Sequence, residues 1–234
     1  MSVRLDKFLS QSGERSRSEA VKAVRAGQVR VNGAPVRDPS LKINETDTVT
    51  LAGETVGDDA MQYYLFYKPS GVLTAARDSR AQTVMDLLPE ALSRRKVLPV
   101  GRLDKDTTGL LLLTNDGVLA HSLLDPKRHV WKRYIATVEG KLDENDVKAF
   151  EEGIPLKDFT AKPARLEIDA DDPGKVFVEI AEGKFHQVKR MCERAGKNVV
   201  YLKRVAIGDL QLDETLEPGK VRELSREELA LFGW

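Results

Sequence analysis

Two carboxylates, two cations and two hydroxyls are crowded into the segment 101–108. The acids are Asp104 and Asp106, and four consecutive leucines follow at 110–113. Polar side chains on a loop held by rigid strands are often catalytic, because the strands fix their positions. A carboxylate in such a loop can act as a nucleophile. The alternative is a turn in which the Asp and Thr oxygens only accept hydrogen bonds from backbone amides.

The spacing within this loop also fits two other kinds of site. Asp104, Asp106 and Gly109 resemble the start of a calcium-binding loop, which needs an acid at its twelfth position, where this sequence has Asn115. The two acids followed by Thr108 also resemble the nucleophile loop of haloacid-dehalogenase-type phosphatases. In those enzymes the first Asp follows directly on a hydrophobic strand, whereas Gly101 and Arg102 interrupt the run here. Spacing alone therefore leaves the phosphatase as the second hypothesis.

Apolar and capping patterns predict the elements that hold this loop. Strands are predicted at Tyr63–Tyr67, Leu110–Thr114, Lys132–Glu139, Ala164–Ile168, Val176–Ile180 and Val199–Val205. Helices are predicted at Thr83–Leu88, Val118–Leu124, Glu144–Glu152, Phe185–Ala195 and Arg226–Leu231. The mixture predicts an α+β fold with a mostly antiparallel mixed sheet flanked by helices.

The helix predicted over Phe185–Ala195 carries further polar residues. Its buried stripe is predicted to consist of Phe185, Val188, Cys192 and Ala195. That stripe leaves His186 and Lys189, three residues apart, together on an adjoining face.

The first 51 residues predict a small α+β module of their own. Leu5, Phe8 and Leu9 have helical spacing, and Gly13 is placed to end that helix. A capping box at Ser16 and Glu19 begins a second helix, which ends near Gly27.

A β-hairpin is predicted next in this module. Val29–Val31 and Ala34–Val36 flank Asn32-Gly33, the sequence of a type I′ turn, and Val49–Leu51 predicts another strand. Residues 52–62 are rich in Gly and acids and predict a linker, so the second domain is expected over 63–234.

Charge is balanced over the 234 residues, with 37 basic and 37 acidic side chains, but it is unevenly distributed. The first 42 residues hold nine basic and four acidic side chains, an excess typical of nucleic-acid binders and also of a solvated helix face. The single cysteine, Cys192, excludes an internal disulfide and fits a reducing compartment. No apolar run is long enough for a membrane span or a signal peptide, so we expect a cytoplasmic protein.

Five motifs in order resemble those of the pseudouridine synthases across nearly the whole chain. The loop 101–117 is similar to their motif II, in which Arg-Leu-Asp is followed by a Thr and by Gly-Leu-Leu. Three further stretches resemble the Lys-Pro-x-Gly, Lys-x-Tyr and Gly-x-x-His-Gln-Val-Lys-Arg-Met motifs of the family, and the N-terminal module resembles an S4 RNA-binding domain. The matching residues are Tyr67–Gly71, Lys132–Tyr134 and Glu182–Met191 in the second domain, and Arg4–Lys7, Ser16-Arg17 and Val29–Gly33 in the first.

The resemblance assigns a role to four residues. It implies that Asp104 is the catalytic nucleophile, that Tyr134 stacks on a flipped uracil and that Lys189 pairs with the catalytic carboxylate. Arg102 would fill the space left by the flipped base and contact phosphate. From the residues alone, Tyr134 fits a packed strand tyrosine, while Lys189 fits a surface phosphate contact and Arg102 a surface arginine. The reaction is an isomerisation without redox change, so no metal and no cofactor is implied.

RNA contacts are also expected from basic residues in both domains. His186 is included as a structural or RNA-contacting residue, because no other histidine is at ligand spacing. The full set is Arg4, Lys7, Arg17, Lys22 and Arg25 in the first domain and Lys68, Arg102, Lys132, His186 and Arg190 in the second.

The motif versions are similar to the RsuA branch, whose members modify ribosomal RNA. The connection 153–164 most resembles the small-subunit enzyme, which implies 16S rRNA or an assembling small ribosomal subunit as the partner. A large-subunit enzyme of the same branch is the alternative. A non-enzymatic S4 RNA chaperone and the phosphatase are hypotheses from other classes. The chain is expected to be a monomer, since it shows no heptad pattern and no large apolar stripe.

Overall fold

The computed structural model describes residues 2–11, 16–44, 46–56, 61–89, 92 and 97–234. These residues form six α-helices and fifteen strands, and the chain divides into two units at Gln62 and Tyr63. The helices are α1 Leu5–Gln11, α2 Arg17–Arg25, α3 Gly117–Leu124, α4 Glu144–Glu152, α5 Gln187–Arg194 and α6 Arg226–Ala230. A short 3₁₀ helix spans Val84–Leu87 where an α-helix was predicted. None of the described helices is long and apolar enough to cross a membrane.

Three sheets contain all the described strands. In the first unit β1 Val3–Arg4 pairs with β4 Lys42–Ile43, and a four-stranded sheet has the order β3-β2-β5-β6. In the second unit the order is β11-β12-β10-β13-β9-β7-β15, with β14 beside β13 and β8 beside β9. The remaining strands are β2 Val29–Val31, β3 Ala34–Val36, β5 Val49–Leu51, β6 Glu54–Val56, β7 Tyr63–Lys68, β8 Leu98–Pro99, β9 Thr108–Thr114, β10 Lys132–Val138, β11 Arg165–Ile168, β12 Lys175–Ile180, β13 Val199–Ile207, β14 Leu210–Gln211 and β15 Val221–Glu223.

The first unit forms from local signals that the sequence displays. Ser16 caps α2, and its hydroxyl oxygen accepts from the backbone N–H of Glu19 in a full capping box. The β2–β3 hairpin turns at Asn32 and Gly33, whose φ angles of 51° and 80° suit a type I′ turn. Gly13, predicted to end the first helix, lies outside the described residues.

The predicted linker was wrong for part of its length. Glu54–Val56 forms β6 and pairs antiparallel with β5, so these residues extend the sheet of the first unit. The missed signal is the Ala52-Gly53 turn, which lets two short strands pair although neither has a long apolar run. Residues 57–60 of the predicted linker lie outside the described residues.

Strand β9 lies inside the sheet of the second unit, between β13 and β7, and all seven of its residues are buried. Leu111 and Leu113 belong to the apolar cluster on one side of the sheet, while Leu110 and Leu112 belong to the cluster on the other. Burial on both sides explains the continuous leucine run. The predicted mostly antiparallel sheet is confirmed, with one parallel pair between β9 and β13.

Gly109 makes this parallel pair possible. Its φ is 104°, and a Cβ built there would lie 2.1 Å from the backbone oxygen of Arg204 on β13. Only glycine tolerates both that φ and that approach. The loop 101–107 therefore leads directly into a strand that is fixed against β13.

Candidate active site

Buried hydrogen bonds hold the Arg102-Leu103-Asp104 segment in place. The Thr74 hydroxyl donates to the backbone oxygen of Leu103 at 2.8 Å and accepts from the Leu103 N–H at 3.2 Å. The Leu103 side chain packs in the main core of the second unit. Asp104 follows this anchored residue directly, so its backbone position is fixed from one side.

Lys68, at the end of β7, fixes the other side of the loop. Its ammonium donates to the backbone oxygens of Pro69, Lys105 and Thr107 at 3.0, 3.1 and 2.9 Å. The residue is 0% exposed, and burial lowers the pKa of the ammonium to about 8, opposed in part by Asp106 and Asp104. The prediction that Lys68 contacts RNA was therefore wrong, because its three N–H groups are used inside the protein.

Two side chains of the 186–189 segment approach Asp104. His186 Nε2 lies 3.5 Å from one carboxylate oxygen and Lys189 Nζ lies 3.7 Å from the other. Lys189 Nζ also donates to Asp106 at 2.5 Å, and this hydrogen bond is the largest of the effects that lower the pKa of Asp106. Lys189 thus bridges the two acids, as its place on α5 three residues after His186 allows.

The two acids differ in what surrounds them. The Asp104 side chain is 26% exposed and lines a pocket together with Arg102, Tyr134 and His186. The Asp106 side chain is 71% exposed and is not among the residues lining that pocket. Tyr134, on β10, is buried and lines the same pocket, as do the apolar residues Ile180, Val188 and Leu202.

The start of α5 differs from the prediction. The helix begins at Gln187 because His186 adopts a left-handed backbone, with φ 51° and ψ 31°. Phe185 therefore lies outside the helical periodicity and is exposed, so its predicted place in the buried stripe was wrong. Val188 and Cys192 are buried as predicted, together with Gln187 and Met191.

Two further predicted RNA contacts are engaged within the second unit. Lys132 is buried on the same sheet face as Tyr134, and burial lowers its pKa to about 8, with Arg204 adding to the effect. Its position does not support the predicted contact with RNA. Arg190 is paired with the exposed Asp158, and its guanidinium lies 5.0 Å from the Phe159 ring centroid.

In the first unit the predicted RNA-binding residues form two groups. Lys7, Lys22 and Arg25 are exposed. Arg4 and Arg17 both approach the buried carboxylate of Asp6, at 3.0 and 3.4 Å, and the hydrogen bond from Arg4 is the main cause that lowers the Asp6 pKa. Arg4 and Arg17 therefore contribute to the packing of this unit as well as to its charge.

Sequence reasoning missed three contributors to the site. Thr74 lies 29 residues before its partner Leu103, and no local pattern marks it. Arg204 is buried on β13 and donates to the Leu110 backbone oxygen at 2.8 Å. The third is the contact between His186 and Asp104, which depends on a backbone conformation that residue types do not reveal. Among the described residues, no group of three His, Cys, Asp or Glu side chains is arranged to hold a metal.

The chain is similar to known proteins over nearly its whole length. Residues 62–194 match the family model described as RNA pseudouridylate synthase, and residues 3–49 match the S4 domain. An uncharacterised RNA pseudouridine synthase of Bacillus subtilis is 46% identical, covering 98% of both chains. Ribosomal small subunit pseudouridine synthase A of Haemophilus influenzae is 39% identical over 97% of this chain and 98% of that protein. A crystal structure of a pseudouridylate synthase, 38% identical, has a TM-score of 0.70 and covers 98% of this chain and 99% of that one.

Proposed function

Since this chain belongs to the RNA pseudouridylate synthase family and carries an S4 domain, we propose that it isomerises one specific uridine of the small-subunit (16S) ribosomal RNA. We further propose that Asp104 is the nucleophile. The family assignment accounts for the acidic loop, so neither the phosphatase nor the calcium-loop hypothesis is needed.

The reaction breaks the N1–C1′ bond of uridine, rotates the uracil and rejoins it to the ribose through C5. The reacting atoms are inaccessible in a stacked or paired nucleotide, so the nucleotide has to be flipped out, at a cost of about a few kcal/mol. The enzyme therefore needs a pocket for the extruded base and a charged group beside the sugar. It also needs contacts that hold the RNA while the base is out.

The observation that carries the assignment of Asp104 is its position in the pocket. Asp104 and Tyr134 both line the pocket, whereas Asp106, two residues from Asp104, does not. A carboxylate at this place can attack the base or the sugar, or stabilise an oxocarbenium-like sugar, as the carboxylates of glycosidases do. Its anchoring by Lys68 and Thr74 keeps the carboxylate in place during the reaction.

Three neighbours of Asp104 have proposed roles. Tyr134 stacks on the flipped uracil, because an aromatic ring matches the π-face of any base. The ammonium of Lys189 lies 3.7 Å from Asp104, where it balances the negative charge of the carboxylate and limits its movement. Arg102 is exposed and lines the pocket, so its guanidinium can occupy the gap left by the base and contact phosphate.

RNA binding is proposed for the S4-like residues 1–51, while 63–234 carry out catalysis. Within the first unit the exposed Lys7, Lys22 and Arg25 supply phosphate contacts, joined by Arg17 from the same helix as Lys22. Such contacts position the RNA and do not select its sequence.

The choice of 16S rRNA rests on similarity to small-subunit enzymes along nearly the whole chain. A large-subunit substrate is the alternative. The test is to incubate the purified protein with 16S rRNA, 23S rRNA or assembling small subunits, each labelled with tritium at uridine C5. Tritium release from 16S rRNA or from small subunits alone is expected. Release confined to 23S rRNA would overturn the choice of substrate, and RNA binding without release from any of them would favour the chaperone hypothesis.

A further inference from the structure

Phe185 presents a bare aromatic ring next to the pocket. It is 74% exposed, the largest exposed fraction of any large hydrophobic side chain in the described part of the chain. Its ring stacks on the imidazole of His186, with centroids 3.8 Å apart and planes inclined by 16°. One face of the phenyl ring therefore rests on an imidazole that itself approaches Asp104, and the other faces solvent.

The backbone conformation of His186 produces this arrangement. Non-glycine residues with positive φ are uncommon, and strained backbone tends to persist where it serves a site. At φ 51° the chain turns Phe185 away from the start of α5 and brings His186 Nε2 to 3.5 Å from Asp104. If His186 had a helical backbone, α5 would begin earlier and would include Phe185.

The two other exposed aromatics of the second unit, Tyr201 and Trp234, each make a side-chain hydrogen bond, to Thr108 and Asp116. Several partly exposed aromatic rings have cations over them. Arg190 and Lys184 lie over Phe159, Arg133 lies over Phe177, and Arg165 lies over Trp131. Within the described residues no lysine or arginine covers Phe185 in this way. Its free face is thus available for a planar group from outside the protein.

The cations beside Phe185 favour RNA as the source of that group. Lys184 precedes it and lines the pocket, with Nζ 4.4 Å from the Phe159 ring centroid. Arg102 is exposed at the same pocket. Exposed cations next to an aromatic platform are the combination by which proteins hold single-stranded RNA.

We propose that Phe185, supported by His186, is the stacking platform for the base next to the flipped uridine. This inference rests on the proposed pocket at Asp104. Extruding the uridine removes the stacking partner of its neighbour, which leaves one face of the neighbouring base bare. Stacking of that face on Phe185 replaces part of the lost contact and holds the RNA strand in register with the pocket.

The first test combines a substitution of Phe185 with the removal of single bases from the substrate. An RNA fragment that the wild-type enzyme isomerises is prepared with the base removed on the 5′ or on the 3′ side of the target. Phe185→Leu should weaken binding of the intact fragment by about 5- to 150-fold, the range for one base–aromatic stack. Removing the stacked base should weaken binding to the wild-type protein by a similar factor. For the fragment that lacks this base, Phe185→Leu should bind almost as well as the wild-type protein.

Two further variants serve as controls. Phe185→Tyr keeps the ring and should bind nearly as wild type does. Val118→Ala alters another exposed apolar residue, 70% exposed on α3, and should change nothing. The platform would be overturned if Phe185→Leu weakened binding by the same factor with and without the neighbouring base, at the 5′ position and at the 3′ position alike. Wild-type affinity in Phe185→Leu would also overturn it.

A second probe does not depend on knowing the target. A nonamer of uridines with one central 2-aminopurine loses fluorescence when the purine stacks on an aromatic ring. The wild-type protein should quench it and Phe185→Leu should quench it less. Equal quenching would overturn the platform, even if no ribosomal RNA fragment reacts and the proposed substrate is wrong.

Discussion

Replacing Lys68 by methionine should separate the stability of the fold from the positioning of Asp104. The ammonium makes three hydrogen bonds to backbone oxygens, two of them in the loop 103–107. Hydrogen bonds from a charged donor contribute about 1.5 kcal/mol or more each, so at least about 4 kcal/mol is lost. Methionine has nearly the same length but no charge to bury. The drop of the Lys68 pKa from 10.5 to about 8 corresponds to a free-energy cost of roughly 3 kcal/mol for burying the charged ammonium. Lys68→Met does not have this cost.

The net loss of unfolding free energy in Lys68→Met is therefore at least about 1 kcal/mol, measured by urea denaturation at pH 7. Activity should fall much more, by at least about tenfold in single-turnover tritium release, because a catalytic group displaced by 1 Å can lose about 100-fold. Lys105→Met, an exposed lysine of the same loop, is the matched control and should retain both properties. Wild-type turnover in Lys68→Met would refute the idea that Lys68 positions Asp104.

The pH dependence adds an independent check on Lys68. Because its pKa is lower in the folded protein than in the unfolded chain, the unfolded chain binds more protons between pH 8 and 10.5. The stability of wild type relative to Lys68→Met should be constant below pH 8 and rise above it. The neutral amine has only two N–H groups for three oxygens, so wild-type turnover should fall over the same range. A stability difference that declines as the pH rises from 8 would contradict the assigned pKa shift.

Three further outcomes follow from the structure. Neutralising Arg17, Lys22 and Arg25 together should reduce the steepness of the plot of log RNA affinity against log salt concentration by up to about 2, since each phosphate contact on single-stranded RNA contributes roughly 0.7. Weaker binding with an unchanged slope would show that the RNA binds elsewhere. Gly109→Ala should lower the unfolding free energy by at least about 2 kcal/mol in urea denaturation, because of its positive φ and the adjacent β13 backbone, and a wild-type urea midpoint would contradict the close approach. Burial raises the pKa of Cys192 to about 12, so iodoacetamide at pH 8 should label it only after unfolding, and rapid labelling of the folded protein would show that it is accessible.

Elements with local signals could be predicted from the sequence. The capping boxes at Ser16 and Ser225 mark helices that the structure contains, and Asn32-Gly33 marks the hairpin. The acidic loop was found because its polar residues interrupt apolar strands. Each of these features is determined by residues fewer than about ten positions apart.

Features that depend on distant partners could not be predicted in the same way. The burial of Lys68 follows from backbone oxygens about 37 residues later, and a basic residue in an RNA enzyme is otherwise expected at the surface. Phe185 has the spacing of a buried helix residue, yet the left-handed turn at His186 removes it from the helix. The β5–β6 hairpin is local, and its residues were predicted as a linker because strands of three residues leave almost no periodic pattern.

The proposed nucleophile is tested most directly by single-turnover tritium release with Asp104→Asn and Asp106→Asn. Both substitutions remove one negative charge with almost no change of shape, and both acids contact Lys189. The account predicts that Asp104→Asn binds C5-tritiated ribosomal RNA within a few-fold of wild type and releases no tritium, whereas Asp106→Asn retains turnover. Measurable turnover by Asp104→Asn, or its loss in Asp106→Asn alone, would contradict the assignment.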